Sequence, residues 1–158
     1  MAEAAKLIAE LNRRGLTIAV AESCSGGMVA SALTDVPGSS EVFGWGLVTY
    51  SNEAKMRLLD VDADTLAEHG AVSSQVAGEM VQGMLKLSGA DVALATTGIA
   101  GPGGGTEEKP VGTVYIGCGS AHHIRIKRCR FHGDRGSVRR QTVRQALEML
   151  EHYLEGAK

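Results

Sequence analysis

A chain of 158 residues is long enough for one compact domain with a substantial buried core. Its 16 Lys and Arg residues nearly balance 18 Asp and Glu residues, and the formal net charge of −2 lacks the basic excess typical of nucleic-acid-binding proteins. Gly is frequent at 21 residues while Pro is limited to 3, which excludes a Pro-rich disordered chain. We predict a single domain over residues 1–158.

The cysteines and the apolar runs indicate the compartment. Cys24, Cys118 and Cys129 form no C-x-x-C pair, and an odd number of cysteines gives no complete disulfide framework. No apolar run approaches the roughly 20 residues that span a bilayer, and the amphipathic start of the chain is unlike a secretion signal. We therefore expect a cytoplasmic protein that has neither a membrane nor a nucleic acid as a partner.

Hydrophobic periodicity predicts an alternation of helices and strands. In chain order, the predicted elements are a helix over Ala2–Arg14, a strand over Leu16–Ala21, a helix over Gly26–Val36, a strand over Phe43–Tyr50, a short helix opening at Ser51–Glu53, a short helix over Asp64–His69, a helix over Ser73–Leu87, strands over Asp91–Thr96, Gly112–Gly117 and His123–Phe131, and a helix over Ser137–Leu154.

The pattern within these elements predicts how they pack. Near-continuous apolar strands are typical of a sheet covered on both faces, and the last two strands form an antiparallel hairpin. The predicted fold is therefore α/β, a three-layer α/β/α sandwich with a mixed, mostly parallel sheet of about five strands. Two helices carry core-facing stripes at helical spacing. These stripes are Ala5, Leu7, Ile8 and Leu11 in the first helix, and Val76, Met80, Met84 and Leu87 in the fifth.

Three polar or glycine-rich segments follow predicted strands, and in open α/β sheets ligands collect beyond the carboxyl ends of the strands. These segments are Glu22–Gly27, Tyr50–Lys55 and Thr97–Gly105. We expect them to surround one crevice at the same edge of the sheet.

Ser23 is the candidate nucleophile of this crevice, and the alternative is that it only caps the following helix. One alternative for the base is a histidine in a Ser–His–Asp triad, although none of the five histidines precedes a helix at a strand end. The other is Lys55, unless it is only a solvated lysine on a helix face. For the role of base its pKa must fall by about 3 units, which costs on the order of 4 kcal/mol. Tyr50 is placed to relay a proton or orient the nucleophile. Cys24 is a stronger nucleophile than serine, but a small buried residue is its expected role.

The glycine-rich loop after the third predicted strand is either a ligand site or a surface loop without a ligand. It lacks the Lys-Ser/Thr ending of a P-loop, and Thr106 breaks the G-x-G-x-x-G spacing from Gly101. Lys109 follows the loop and is a candidate to neutralise a phosphate. The last helix opens with a basic cluster whose usual role is solvation, formed by Arg135, Arg139, Arg140 and Arg144.

Four motifs together resemble the CinA C-terminal domain family, whose stand-alone members are nicotinamide-nucleotide amidohydrolases. The resemblance covers the chain from about Leu7 to Leu154. The motifs that carry it are Ala21-Glu22-Ser23-Cys24-Ser25-Gly26-Gly27, Val48-Thr49-Tyr50-Ser51-Asn52-Glu53-Ala54-Lys55, Thr97-Gly98-Ile99-Ala100-Gly101-Pro102-Gly103-Gly104 and Glu107-Glu108-Lys109-Pro110-Val111-Gly112-Thr113-Val114.

The resemblance implies hydrolysis of the carboxamide of nicotinamide mononucleotide by Ser23 and Lys55, with no metal or cofactor, and a similar layered fold in a homodimer. The substrate-binding groups that it implies are Ser25, Gly26 and Gly27 near the oxyanion, and Thr97, Gly98, Gly101, Gly104, Lys109 and Arg139 around the nucleotide. The alternative function is a catalytically weak nucleotide-binding or regulatory module linked to competence or damage response. Many relatives carry an additional N-terminal domain, and we expect none of its activity here.

Overall fold

The computed structural model describes residues 2–156, which form six α-helices, five strands and a short 3₁₀ turn at Ser39–Glu41. The helices are α1 (Ala2–Arg14), α2 (Met28–Thr34), α3 (Asn52–Leu59), α4 (Ala63–His69), α5 (Ser74–Ser88) and α6 (Arg135–Gly156). The strands are β1 (Ile18–Glu22), β2 (Phe43–Val48), β3 (Val92–Gly98), β4 (Thr113–Gly119) and β5 (Ile124–Arg130). No helix within residues 2–156 is both long and apolar enough to cross a membrane.

The five strands form one mixed sheet in the order β2-β1-β3-β4-β5. The strands β2, β1 and β3 are parallel to one another, and β4 is antiparallel to both β3 and β5. It follows that β5 runs with the first three strands and that β4 alone among these five is reversed. The prediction of a mixed, mostly parallel sheet of about five strands is confirmed.

Helices cover both faces of the sheet, so the three-layer α/β/α prediction is also confirmed. On one face, α1, α2 and α6 contribute core residues such as Leu11, Leu33 and Leu150. On the other face, α3, α4 and α5 contribute a second core that includes Leu59 and Met80. The three central strands β1, β3 and β4 are buried between these layers, which explains why β1 and β3 are nearly continuous apolar runs in the sequence. The edge strands β2 and β5 are largely exposed.

Three boundaries near the first strand differ from the prediction, and one of them is the start of β1, which is Ile18 instead of Leu16. The helix expected to begin at Gly26 begins at Met28, because Gly26 and Gly27 adopt positive φ angles of 59° and 95° that a right-handed helix does not accommodate. The first strand continues to Glu22, one residue beyond the predicted end. The polar Glu22 side chain concealed this extension in the sequence.

Two residues of the predicted apolar stripes are not in the core. In α1, Leu7, Ile8 and Leu11 are buried as predicted, but Ala5 is exposed and Ala4 is buried in its place. Ala4 is the residue that completes the i, i+3, i+4, i+7 spacing of one helical face. In α5, Val76, Met80 and Met84 are fully buried as predicted, but Leu87 is 42% exposed. Leu87 lies in the last turn of α5, one residue before the helix ends at Ser88, beyond the cover of the neighbouring elements.

The parallel strands bring three chain segments to one edge of the sheet. Glu22, the last residue of β1, is in register with Val48 of β2 on one side and with Thr96 of β3 on the other. Because these strands run in the same direction, the residues that follow them leave the sheet side by side. The predicted crevice therefore has its structural basis in the order β2-β1-β3.

The contact between α3 and α5 generates a prediction for stability. Gly83 of α5 packs so closely on the end of α3 that a methyl group there would overlap the Leu59 carbonyl. We expect Gly83→Ala to lower the free energy of unfolding by about 1–3 kcal/mol, because overpacking forces the backbones apart. Urea denaturation measures this change.

Gly78, in the same helix, is the matched control. A methyl group at Gly78 would find Ile126 Cδ1 at 3.9 Å as its nearest neighbour, which is an ordinary contact. Gly78→Ala is therefore expected to stabilise the protein by about 0.5–1 kcal/mol through helix propensity alone. Equal effects of the two substitutions would show that the close approach at Gly83 has no energetic weight.

Candidate active site

Ser23 is the first residue beyond β1, at the edge where the parallel strands end. Its main-chain N–H donates to the Thr96 carbonyl oxygen at 2.9 Å, which continues the pairing of β1 with β3 by one residue. The side chain is 8% exposed. The chain then reverses through Gly26 and Gly27 to start α2, so Ser23 occupies a fixed turn between a buried strand and a helix.

Lys55 reaches Ser23 from the neighbouring strand end. The helix α3 begins after Ser51, whose side chain accepts a hydrogen bond from the Ala54 N–H at 3.1 Å, as the predicted N-cap requires. Lys55 is the fourth residue of α3 and is 1% exposed. Its Nζ lies 3.0 Å from Ser23 Oγ and 2.8 Å from the Thr49 carbonyl oxygen. The structure thus brings the predicted nucleophile and base into hydrogen-bond contact.

The surroundings of Lys55 favour the uncharged amine. Burial removes water from the ammonium group and lowers the pKa of Lys55 from 10.5 to about 8. At that value roughly a tenth of the side chains are neutral at pH 7. A neutral amine has two N–H groups and one lone pair. The carbonyl oxygens of Thr49 and Tyr50, at 2.8 and 3.5 Å, are acceptors for the two N–H groups and leave the lone pair for the Ser23 hydroxyl.

Cys24 and histidine, the two alternatives to the dyad that the sequence raised, are not favoured by the structure. The Cys24 thiol is 4% exposed, and burial raises its pKa to about 11, so it is protonated at neutral pH. No histidine is among the described residues that line the cavity at Ser23. Within residues 2–156, no group of three or more His, Cys, Asp or Glu side chains is arranged to hold a metal ion.

A cavity of about 280 Å³ opens from the dyad to the surface. Ser23 and Lys55 lie at its closed end, where both side chains are nearly inaccessible, whereas Tyr50 is 59% exposed at its mouth. Residues 71–72, 97–101 and 103–104 form its walls, and Arg135 completes the lining. Thr97, Gly98, Gly101 and Gly104, which the resemblance assigned to the nucleotide, are among these lining residues. Its volume lies close to the lower end of the range that is usual for small-molecule sites, about 300 Å³.

The glycine-rich loop is held against the strand β4 and the residues before it. The Ile99 N–H donates to the Thr113 carbonyl, and the Gly112 N–H donates to the Ile99 carbonyl. A side chain at Gly101 would meet Val111 within 2.5 Å, and the φ angle of 83° at Gly101 also favours glycine. The first part of the loop, up to Gly101, is therefore packed against these residues, whereas residues 102–105 are exposed.

Glu22 organises the turn after β1, a role that the sequence analysis missed. Its buried carboxylate accepts hydrogen bonds from Ser25 Oγ and from the main-chain N–H groups of Gly27, Val29 and Ala30, at 2.5–3.1 Å. It thus caps α2, because Gly27 at the N-cap position has no side chain to do so. A glutamate that ends an apolar strand and precedes a glycine pair is the sequence signal that was available.

Several residues assigned to substrate by the resemblance make other contacts. The Ser25 hydroxyl is fully buried between Glu22 and Thr96. The Gly26 N–H donates to the Ser23 carbonyl and the Gly27 N–H to Glu22, so the turn itself uses both of these predicted oxyanion donors. Gly26 and Gly27 do not line the cavity.

The two cations predicted to hold the phosphate lie outside the cavity lining. Lys109 Nζ donates to the His69 carbonyl at 2.6 Å. Arg139 donates to the carbonyls of Cys24 and Ser25 at 3.2 and 3.0 Å, and so holds the nucleophile turn against α6. Their carbonyl contacts, which a single sequence does not reveal, direct both side chains away from the site. Arg135, which was interpreted as a solvated residue, is exposed and also lines the cavity.

The sequence model of the CinA C-terminal domain family matches residues 2–154. The chain belongs to this family. Solved structures of CinA proteins share the fold closely. The competence/damage inducible protein CihA from Agrobacterium tumefaciens superposes with a TM-score of 0.94 at 44% identity, over 97% of this chain and 93% of that one. A CinA superfamily protein from Klebsiella pneumoniae gives a TM-score of 0.94 at 40% identity, over 98% of this chain and 96% of that one.

Curated relatives of this CinA domain are longer proteins. A CinA-like protein from Chlorobaculum tepidum is 61% identical over 145 residues, which are 89% of this chain and 34% of the relative. A putative competence-damage inducible protein from Caldanaerobacter subterraneus is 49% identical over 146 residues, 92% of this chain and 35% of the relative. The chain therefore spans about a third of the length of the curated relatives that it matches.

The Glu22 contacts generate a prediction for stability. Glu22→Gln replaces one carboxylate oxygen by an NH₂ group that faces N–H donors, so at least one donor of α2 is left without an acceptor. We expect the free energy of unfolding to fall by about 1–3 kcal/mol. Thermal or urea denaturation measures the change, and Glu41→Gln on the exposed surface is the control, with an expected change within about 0.5 kcal/mol. A similarly small change for Glu22→Gln would contradict the capping role.

Proposed function

We propose that this CinA domain hydrolyses the carboxamide of nicotinamide mononucleotide to nicotinic acid mononucleotide and ammonia. The observation that carries the proposal is the buried Lys55 amine, 3.0 Å from the Ser23 hydroxyl at the closed end of a cavity. A lysine with a purely structural role is not expected at a buried position, because burying its ammonium group costs free energy. A lysine that acts as a base near physiological pH does need burial, because burial lowers its pKa toward that range.

In the proposed reaction, Ser23 Oγ attacks the amide carbon while neutral Lys55 takes the hydroxyl proton. The tetrahedral intermediate then collapses, the C–N bond breaks, and Lys55 returns a proton to the departing ammonia. This leaves an ester between Ser23 and the pyridine carboxyl group. Water attacks the ester with Lys55 again taking a proton, and the acid product leaves as Ser23 regains its hydrogen.

A catalytically weak nucleotide-binding or regulatory module is the second candidate. It is favoured by the names of several relatives, which refer to competence and damage. Such a module needs the cavity but not a buried lysine with a lowered pKa beside a serine. Ammonia release from nicotinamide mononucleotide separates the two candidates. The homodimer and the cytoplasmic location remain predictions under either one.

We expect Ser23→Ala and Lys55→Met each to lower kcat for ammonia release from nicotinamide mononucleotide by about 10³-fold or more, because each removes one half of the dyad. A coupled ammonia assay measures the rate, and far-UV circular dichroism confirms that the variants fold. Ser74→Ala and Lys86→Met are matched controls on exposed positions of α5 and are expected to keep the full rate. Full activity in either dyad variant would refute the mechanism.

The lowered pKa of Lys55 generates a pH prediction. Only the neutral amine accepts the Ser23 proton, so kcat/KM is expected to rise tenfold per pH unit below about pH 8 and to level off above it. Steady-state rates between pH 6 and pH 10 measure this limb. A rising limb centred near 10.5, the ordinary value for lysine, would show that burial does not tune this amine.

A further inference from the structure

The basic residues of the chain are concentrated in one segment. Residues 122–144 contain eight of the 16 Lys and Arg residues and only one of the 18 Asp and Glu residues, Asp134. The rest of the chain therefore has a clear acidic excess, and the net charge of −2 conceals this separation. A strong charge asymmetry along a chain indicates a surface for an oppositely charged partner.

Half of these cations lie on β5, which is an edge strand. Arg125, Lys127, Arg128 and Arg130 are all exposed, and we call these four residues the basic edge. The strand β5 pairs with β4 along its whole length, and the sheet of residues 2–156 has no strand on its other side. Every second residue of such a strand directs its main-chain N–H and C=O groups outward, where a further strand can pair with them.

The basic edge has cations on both faces of the sheet. Arg125 and Lys127 lie on the face that α6 covers, and Lys127 Nζ donates to Gln145 of α6 at 2.9 Å. Arg128 and Arg130 lie on the opposite face. A nucleic-acid backbone would approach the cations of one face only. An added strand, in contrast, places side chains opposite the cations of both faces.

No carboxylate within residues 2–156 forms a salt bridge with the basic edge. Three of its cations donate hydrogen bonds to uncharged acceptors, which are a histidine nitrogen, a side-chain amide oxygen and a main-chain carbonyl oxygen. A single charged residue is enough to discourage an edge strand from pairing by chance. Four charges of one sign on one strand exceed that protective role and are available to an acidic partner.

The order of residues along the basic edge is symmetrical. Cations occupy the first, third, fourth and sixth positions of Arg125–Arg130, and Ile126 and Cys129 occupy the second and fifth. Because the pattern is the same in both directions, it matches a parallel or an antiparallel strand with acidic residues at those four positions. A second β5 would bring like charges directly opposite one another, which is destabilising. The pattern therefore favours an acidic segment over another copy of β5.

We propose that the basic edge is a docking site for an extended acidic segment of another protein, which adds to the sheet as a sixth strand beside β5. Main-chain hydrogen bonds supply part of the affinity, and carboxylates opposite the four cations supply specificity. Two strands, β3 and β4, lie between β5 and β1, so the docking site is about 14 Å from the strand that precedes Ser23. It is therefore separate from the cavity at Ser23 and does not depend on the proposed function.

Two capped peptides of the same composition test the charge pattern. The matched peptide has glutamate at its first, third, fourth and sixth positions and valine at the other two. The permuted peptide has glutamate at its first, second, fifth and sixth positions. NMR titration of the isotope-labelled protein at low ionic strength measures both affinities. We expect the matched peptide to shift the amide signals of residues 124–130 and to bind about 5- to 20-fold more tightly, because the permuted peptide loses two charge pairs.

Equal affinities for the two peptides, or no binding of the matched peptide, would overturn the proposal. A single-stranded oligothymidylate of the same net charge is the competing ligand in the same titration. If it binds more tightly than the matched peptide, the basic edge is a nucleic-acid surface and the proposal fails.

Methylation of the peptide amides tests strand addition. In a strand, alternate N–H groups face the neighbouring strand and the others face outward. We expect N-methyl groups on one alternate set of the matched peptide to weaken binding by about tenfold or more, because they remove the main-chain donors to β5. N-methyl groups on the other set are expected to change the affinity by less than about twofold. Equal effects of both sets would show that charge alone holds the peptide and would exclude an added strand.

Lys127→Gln and Arg128→Gln test one cation on each face of the sheet. Each variant is expected to bind the matched peptide about 2- to 5-fold more weakly, and the double variant about tenfold more weakly. Arg140→Gln, at an exposed position of α6, is the control and is expected to bind like the wild type. Circular dichroism checks that the variants fold. Unchanged affinity in the folded double variant would refute the role of the basic edge.

Discussion

The buried amine of Lys55 is the constraint on which the site depends. A charged group this far from water is destabilising unless it has acceptors or loses its proton. The main-chain carbonyls of residues 49 and 50 are hydrogen-bond acceptors for the amine, and the Ser23 hydroxyl lies 3.0 Å from it. Burial also lowers the pKa of Lys55, so the amine loses its proton more readily. These partners come from different strand ends, so the amine, the turn after β1 and the end of β2 have to assemble together. Because the lysine is inaccessible, its proton can move only to a group within the cavity.

The parallel part of the sheet brings these groups together from segments that are distant in the sequence. Neighbouring parallel strands end at one edge, and Glu22 is in register with both Val48 and Thr96. The same glutamate then holds the turn that presents Ser23, through hydrogen bonds to the first residues of α2. One residue thus links the sheet, the nucleophile and a helix N-terminus. The polar residues Glu22 and Ser23 therefore directly follow the buried apolar residues of β1.

The sequence was sufficient for features that depend on local pattern. Element order, the layered architecture, the Ser51 cap and the convergence of the segments that carry Ser23 and Lys55 follow from periodicity, capping residues and the geometry of parallel strand ends. The pairing of Ser23 with Lys55 was favoured by the family resemblance. The directions of Lys109 and Arg139 did not follow, because carbonyls distant in the chain accept their hydrogen bonds. The role of Glu22 depends on the positive φ angles of the glycines that turn the chain back over it.

The helix α6 contributes two arginines, four residues apart and so on the same helical face, to different parts of the site. Arg139 holds the turn that bears Ser23, and Arg135 lies at the cavity mouth. Four residues of an α-helix rise by about 6 Å, and a helix of this length resists stretching. The turn that bears Ser23 and the glycine-rich loop are therefore tied to the same helix, so a shift of α6 along its axis would displace both together.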